Sequence, residues 1–244
     1  MKLSEGIVIN SIKYQETSKI ITILTTNGID SYYVKGGAKY KSKNFSYSNE
    51  LTKIAFDYSK KNEESIKILT TGTILNNYSN IKQSFEKLND CFILLEVLNA
   101  LGKQITDYNL LYNFVCEILD LLDSTPYCPY YIVIFRLKLL YLLGVGPIFS
   151  RCVSCNSKTD LVGFAFEYGG VCCKKCVDGI EVLSKELTET LKYLYLCKLE
   201  NFDLEIIKKF NVDIMLIQRF LDSYYEHFLG FKSKAKNVLD ALKG

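Results

Sequence analysis

"GIVINSIKYQETSKIITILTTNGIDSYYVKG", Gly6 to Gly36, holds three short runs of β-branched and aromatic residues divided by polar turns, the pattern of successive strands. The second and third runs meet at Asn27-Gly28, which predicts a tight hairpin with both residues at positive φ. Downstream, "TKIAFDYS" (Thr52–Ser59) and "SIKILTTG" (Ser65–Gly72) add two more runs. In the first of these, Ile54, Phe56 and Tyr58 alternate with Lys53, Ala55 and Asp57, giving one dry and one wet face. Between the third and fourth runs, "GGAKYKSKNFSYSN" (Gly36–Asn49) reads as a polar loop. Five short strands with one long basic loop suggest a small closed barrel, and the OB-fold is the commonest five-stranded form. The strand order is not fixed by the sequence.

From Asn80 the period becomes helical. "SFEKLNDCFILLEVLNALGK" (Ser84–Lys103) and "LLYNFVCEILDLLD" (Leu110–Asp123) carry broad apolar stripes. Pro129 and Gly144 bracket a third helix, apolar nearly all round and so expected at the centre of a bundle. Helical pattern returns after Ser184 in "LTETLKYLYLCKL", "VDIMLIQRFLDSYYEHFL" and "KSKAKNVLDALK". The expected class is α+β: an OB-fold barrel over residues 1–79, an α-helical domain over 80–150 and 179–244, and a four-cysteine module over 151–178 inserted in it.

Of nine cysteines, five fall in "RCVSCNSKTDLVGFAFEYGGVCCKKC" (Arg151–Cys176). Cys152 and Cys155 form one C-x2-C pair, Cys173 and Cys176 a second, at the separation of a structural zinc site. Four thiolates close a tetrahedron around Zn2+ and leave no position for a reactive water. Arg151, Lys158, Lys174 and Lys175 are placed to offset the excess negative charge. Redox thiols, or a module that has lost its metal, are the competing readings. Cys172 is the odd thiol, an alternative to Cys173 at C-x3-C spacing. Cys91, Cys116, Cys128 and Cys197 read as small buried hydrophobes.

Catalytic patterns are missing. The single histidine, His227, lies late in a helical stretch and reads as structural. There is no P-loop, no H-x-E ahead of the cysteines, no G-x-S-x-G elbow, and Gly36-Gly37 lacks dinucleotide-binding spacing. No run is long and apolar enough to span a membrane, and the start of the chain has no secretory pattern, so a cytoplasmic, soluble protein is expected. Net charge is only +3, so any anion-binding surface depends on where lysines cluster. Lys35, Lys39, Lys41, Lys43, Lys53, Lys60 and Lys61 face two acids, Glu50 and Asp57, over Lys35–Lys61. Tyr32, Tyr33, Tyr40, Phe45 and Tyr47 are interleaved with them, the make-up of a single-strand binding groove; a solvated loop is the plainer reading. Lys232, Lys234 and Lys236 spread over the surface of a terminal helix.

Five segments, in order, resemble the RecO family of recombination mediator proteins: "EGIVINSIKYQETSKIITILTTNGI", "GGAKYKSKN", "LLYLLGVGP", "GGVCCKKC" and "YYEHFLGFKSKAKNVL". The resemblance covers essentially the whole chain. It implies an OB-fold, a helical domain and a zinc module with knuckle cysteines at Cys152, Cys155, Cys173 and Cys176. It also implies binding of ssDNA and dsDNA, strand annealing, and cooperation with RecR and single-stranded-DNA-binding protein to load the recombinase, with no catalysis and no small-molecule substrate. Cys172 stands where the family usually has an apolar residue, and Asn156 where glycine commonly follows the first knuckle; asparagine tolerates the left-handed conformation such a turn needs. The basic loop has lysine only, which suits phosphate better than bidentate base reading. Two other classes stay open: a zinc-dependent or thiol-redox enzyme, and a protein-interaction scaffold without DNA contact.

Overall fold

The computed structural model describes residues 3–62 and 65–234. Compactness divides the chain into two units at Tyr127/Cys128.

The first unit is built on a closed barrel of β1 (Ser4–Tyr14), β2 (Ser18–Thr25), β3 (Gly28–Val34), β4 (Thr52–Ser59) and β5 (Lys67–Asn76). Their order is β1-β2-β3-β5-β4, with β4 returning to β1. All pairs are antiparallel except β3 with β5. This is the five-stranded Greek-key barrel of OB type. Its interior is filled by Val8, Ile21, Ile23, Tyr32, Val34, Tyr47, Ile54, Phe56 and Leu69, each worth about 1.5–3 kcal/mol of burial for the larger side chains.

Three details depart from the sequence reading. The β2–β3 hairpin falls where expected, with Thr25 paired to Gly28, but Asn27 is not at positive φ. The Thr25 hydroxyl stabilises the turn instead, accepting from Asn27 N–H and donating to the Gly28 carbonyl. Residues 36–49 are not all loop: Ser42 caps a short helix α1 (Lys43–Tyr47) by accepting from Asn44 N–H. Tyr47 from this helix is buried and lies flat against Gly72, where a Cβ would sit 2.9 Å from its ring. Tyr32 and Tyr47 are therefore core residues.

β1 carries a bulge between Val8 and Asn10. Without it, Ile12 would share Val8's inward face; the extra residue turns Ile12 and Tyr14 outward, where they are 58% and 44% exposed. The carbonyl of the bulged Ile9 accepts from Asn99 Nδ2 at 2.8 Å. Asn99 belongs to α3 (Phe85–Leu101), which with α2 (Ser79–Gln83) and α4 (Tyr108–Ser124) completes this unit.

The second unit contains α5 (Tyr130–Leu142), the hairpin β6 (Leu161–Ala165) and β7 (Gly170–Cys173), α6 (Lys185–Leu196), α7 (Leu204–Phe210) and α8 (Ile214–Leu229). α5 starts after Pro129 and is buried over almost its whole circumference from Ile132 to Leu140, as its pattern predicts. Arg136 is the polar exception. It pairs with Asp222 of α8 at 2.8 Å, while Tyr225 Oη donates to its carbonyl at 2.8 Å. His227 is exposed near the end of α8, against the Phe166 and Phe228 rings. Lys236 and the end of the expected last helix lie outside the described residues.

Candidate functional site

Local backbone geometry assembles the four knuckle thiols. Asn156 N–H donates to the Cys152 carbonyl at 2.9 Å and Cys152 N–H to the Ser157 carbonyl at 2.7 Å, closing the first knuckle. Asn156 takes φ +61°, the left-handed conformation its position calls for. Cys176 N–H donates to the Cys173 carbonyl at 2.9 Å, closing the second. The β6–β7 pairing, with Leu161 opposite Cys173, holds the second knuckle, and Val153 N–H to the Val171 carbonyl (2.9 Å) brings the first alongside it. Gly170 makes this approach feasible, since a Cβ there would lie 2.4 Å from Val153.

The sulfurs of Cys152, Cys155, Cys173 and Cys176 all lie within 4.8 Å of one another, with Cys155 and Cys173 at 3.6 Å. A tetrahedral zinc with bonds of about 2.3 Å needs sulfurs about 3.8 Å apart, so the donor set fits in number, type and spacing. Backbone N–H groups of Cys155 and Cys173 lower the Cys152 thiol to about 6, favouring the thiolate that a metal needs. Hydrogen bonding with Cys155 and Cys173 pushes the Cys176 thiol up to about 12. Cys172 is not in the set. It precedes Cys173 on β7 and is buried beside Cys152 and Cys173 in the module's small core.

In the barrel unit, Lys35, Lys39, Lys41, Lys43, Lys60 and Lys61 are exposed, and none forms an ion pair among the described residues. The first four lie on the β3–β4 connection, which Ala38 N–H ties to the Thr17 carbonyl of the β1–β2 turn at 2.9 Å. Lys60 and Lys61 precede β5, which runs parallel to β3 from a position opposite Tyr32, so they lie toward the other end of β3. Lys53 stands apart: it is half-buried, its Nζ 6.0 Å from the Tyr112 ring centre.

The basic connection is preordered. Lys19, outside the Lys35–Lys61 cluster in sequence, donates to Asn49 Oδ1 at 2.7 Å and lies over the Phe45 ring. Asn44 Nδ2 donates to the Lys35 carbonyl at 2.8 Å. Tyr40 projects from it, 84% exposed and edge-on to Phe45. Between the two lysine groups runs an outward apolar row, Ile12, Ile20, Tyr33 and Ile68, in register across β1, β2, β3 and β5, with Tyr14 edge-on to Tyr33. The bulge hides this row from a period-2 reading.

An OB-type barrel in one unit and a four-thiol knuckle in a helical unit define the class: a barrel-and-knuckle chain. The model of the Recombination protein O C terminal family matches residues 83–237, and that of Recombination protein O N terminal matches residues 1–78. The chain belongs to the recombination protein O family. Among its relatives, the DNA repair protein RecO of Syntrophomonas wolfei is 28% identical over 98% of this chain and 96% of its own length. That of an Exiguobacterium species is 25% identical over 97% and 94%, and that of Listeria innocua 24% over 98% and 94%.

Proposed function

We propose that this chain is a non-enzymatic DNA-binding mediator of recombinational repair, which holds single and double strands, anneals complementary strands, and acts in the cytoplasm with RecR and single-stranded-DNA-binding protein to load the recombinase. The observation that carries it is Tyr40, almost fully exposed between Lys39 and Lys41 on a connection whose other lysines are unpaired. An aromatic ring left in water with free cations around it is a stacking platform on an electrostatic track. The relatives' name, DNA repair protein RecO, and membership in the family support a role in DNA repair.

Lys35, Lys39, Lys41 and Lys43 at one end of β3, and Lys60 and Lys61 toward the other, neutralise phosphates and release their counterions. Strands held on one positive surface repel each other less, and base pairing does the rest. Phosphate carries no sequence, so preference is weak. In the second unit Cys152, Cys155, Cys173 and Cys176 would hold one structural zinc, whose bound form contributes folding free energy through the ligand bonds. The residues around it fix the knuckles and keep the sulfurs converged. Among the described residues no helix is long and apolar enough to cross a membrane.

Annealing of two complementary oligonucleotides over a salt series tests this. Replacing Lys39, Lys41 and Lys43 with glutamate should weaken single-strand retention and reduce the salt slope by about 3, roughly one for each phosphate contact. Unchanged retention in that variant would leave the scaffold reading standing. Metal analysis with thiol counting covers the second unit: one zinc with four protected thiols is expected, whereas a reactive pair among them points to redox work.

A further inference from the structure

At the end of the barrel opposite the basic connection, the β2–β3 turn, β4, the start of β5 and the first residues of β1 surround a cleft of about 480 Å3, lined by Glu5, Asn27, Asp30, Tyr58, Lys67 and Tyr112 among others. Tyr58 is 38% exposed and packs edge-on against the buried Tyr32. Lys67 Nζ lies 5.1 Å from the Tyr58 ring centre and 2.8 Å from Asp30 Oδ2. Thr26 and Asn27 of the β2–β3 turn also line the cleft.

We infer that this cleft is a subsite for a single unpaired nucleobase, stacked on Tyr58 and read at its Watson–Crick edge by the adjacent Asp30 and Lys67. The chemistry of the lining selects that ligand. Glu5 and Asp30 outnumber Lys67, so a phosphate is repelled, while an uncharged aromatic ring is not. Every base carries a donor next to an acceptor on its Watson–Crick edge, and a carboxylate beside an ammonium is the complement of any of them. Such a pair distinguishes a free base from a paired one and ignores its identity. A mouth of a β-barrel is a usual place for a small ligand, and this one lies toward the end of β3 where β5 begins. The inference rests on the DNA-binding reading and adds a single-strand selector to it.

Two measurements on the full chain test it. In the first, a single-stranded oligonucleotide carrying 5-iodouracil is photocrosslinked and the adducts are mapped by mass spectrometry. An adduct on Tyr58 or Tyr32 is expected; adducts confined to Tyr33, Tyr40 or Phe45 overturn the subsite while leaving DNA binding intact, and loss of all retention overturns both. In the second, Tyr58→Ala should lower single-strand affinity about tenfold, within the range for one stacked base, without changing the salt slope or duplex affinity. Tyr58→Phe keeps the ring and should keep the affinity. Equal losses for single strand and duplex, or no rescue by phenylalanine, overturn the inference.

Discussion

Asn156 holds φ +61° in the first knuckle, and only its short polar side chain or glycine adopts that conformation readily. Asn156→Gly should leave stability within a few tenths of a kcal/mol or raise it slightly, whereas Asn156→Val should cost about 1–2 kcal/mol, read as a lower thermal midpoint of the second unit and weaker metal retention. Equal stability of the two variants would show that the knuckle does not depend on this backbone angle. Gly6 in β1 has no such angle, and its constraint is space alone: a Cβ there would meet Ile23 at 2.3 Å and the Leu24 carbonyl at 2.9 Å. Gly6→Ala should therefore destabilise the barrel by about 1–3 kcal/mol through overpacking, measurable by denaturant titration. The first of these positions is readable from sequence, because a knuckle turn demands a left-handed residue. The second is not, because the crowding comes from β2.

At the scale of elements, β-branched and aromatic runs between turn signals mark the five barrel strands and helical periodicity the long helices, since each signal is local to the element that carries it; the short β6–β7 hairpin of the cysteine module carries no such run. The short helix α1 escaped because five residues are too few to show a 3.6-residue period, and its packing depends on Tyr47 meeting Gly72. The bulge in β1 escaped for a related reason: its cause is the partner register, and its consequence is to move Ile12 and Tyr14 to the outer face. Asn99 of α3 satisfies the carbonyl that the bulge frees, so Asn99→Ala should cost about 1–3 kcal/mol by orphaning it, although the helix itself gains propensity. A second link between elements joins α5 and α8. Arg136 has a 5% exposed side chain, and its partner Asp222 is 32% exposed. Asp222→Ala leaves a buried guanidinium short of its carboxylate and should destabilise the second unit by about 2 kcal/mol, a hydrogen bond to a charged group being worth about 1.5–3, read as a lower midpoint in thermal unfolding. An unchanged midpoint would mean that the Tyr225 ring, 5.0 Å from the guanidinium, suffices to hold the charge.

For the whole molecule, the two candidate centres differ in how far the sequence reveals them. Four thiols at C-x2-C spacing are visible because each knuckle is closed by its own local hydrogen bonds, and only the meeting of the pairs needs the fold. The lysine cluster is visible as composition, yet composition groups Lys53 with its neighbours, whereas the fold puts it beside Tyr112 of α4. The cleft around Tyr58, Asp30 and Lys67 draws on three strands and has no sequence signature at all. Because the barrel and the thiol knuckle belong to different compact units, metal removal should separate their stabilities. A zinc held by the four thiolates would contribute about 10–16 kcal/mol of apparent binding free energy at neutral pH, most of which the second unit would lose on chelation. Calorimetry after treatment with a strong chelator should show the second unit's transition falling or vanishing while that of the barrel keeps its midpoint. Limited proteolysis of the same sample should cut within residues 150–183 and leave the barrel whole. If the barrel's lysines carry the proposed retention of single strands, that retention and its salt dependence should survive in the chelated protein. A common collapse of both transitions, or a second unit indifferent to chelation, would contradict the assignment of the four thiols as a structural site confined to that unit.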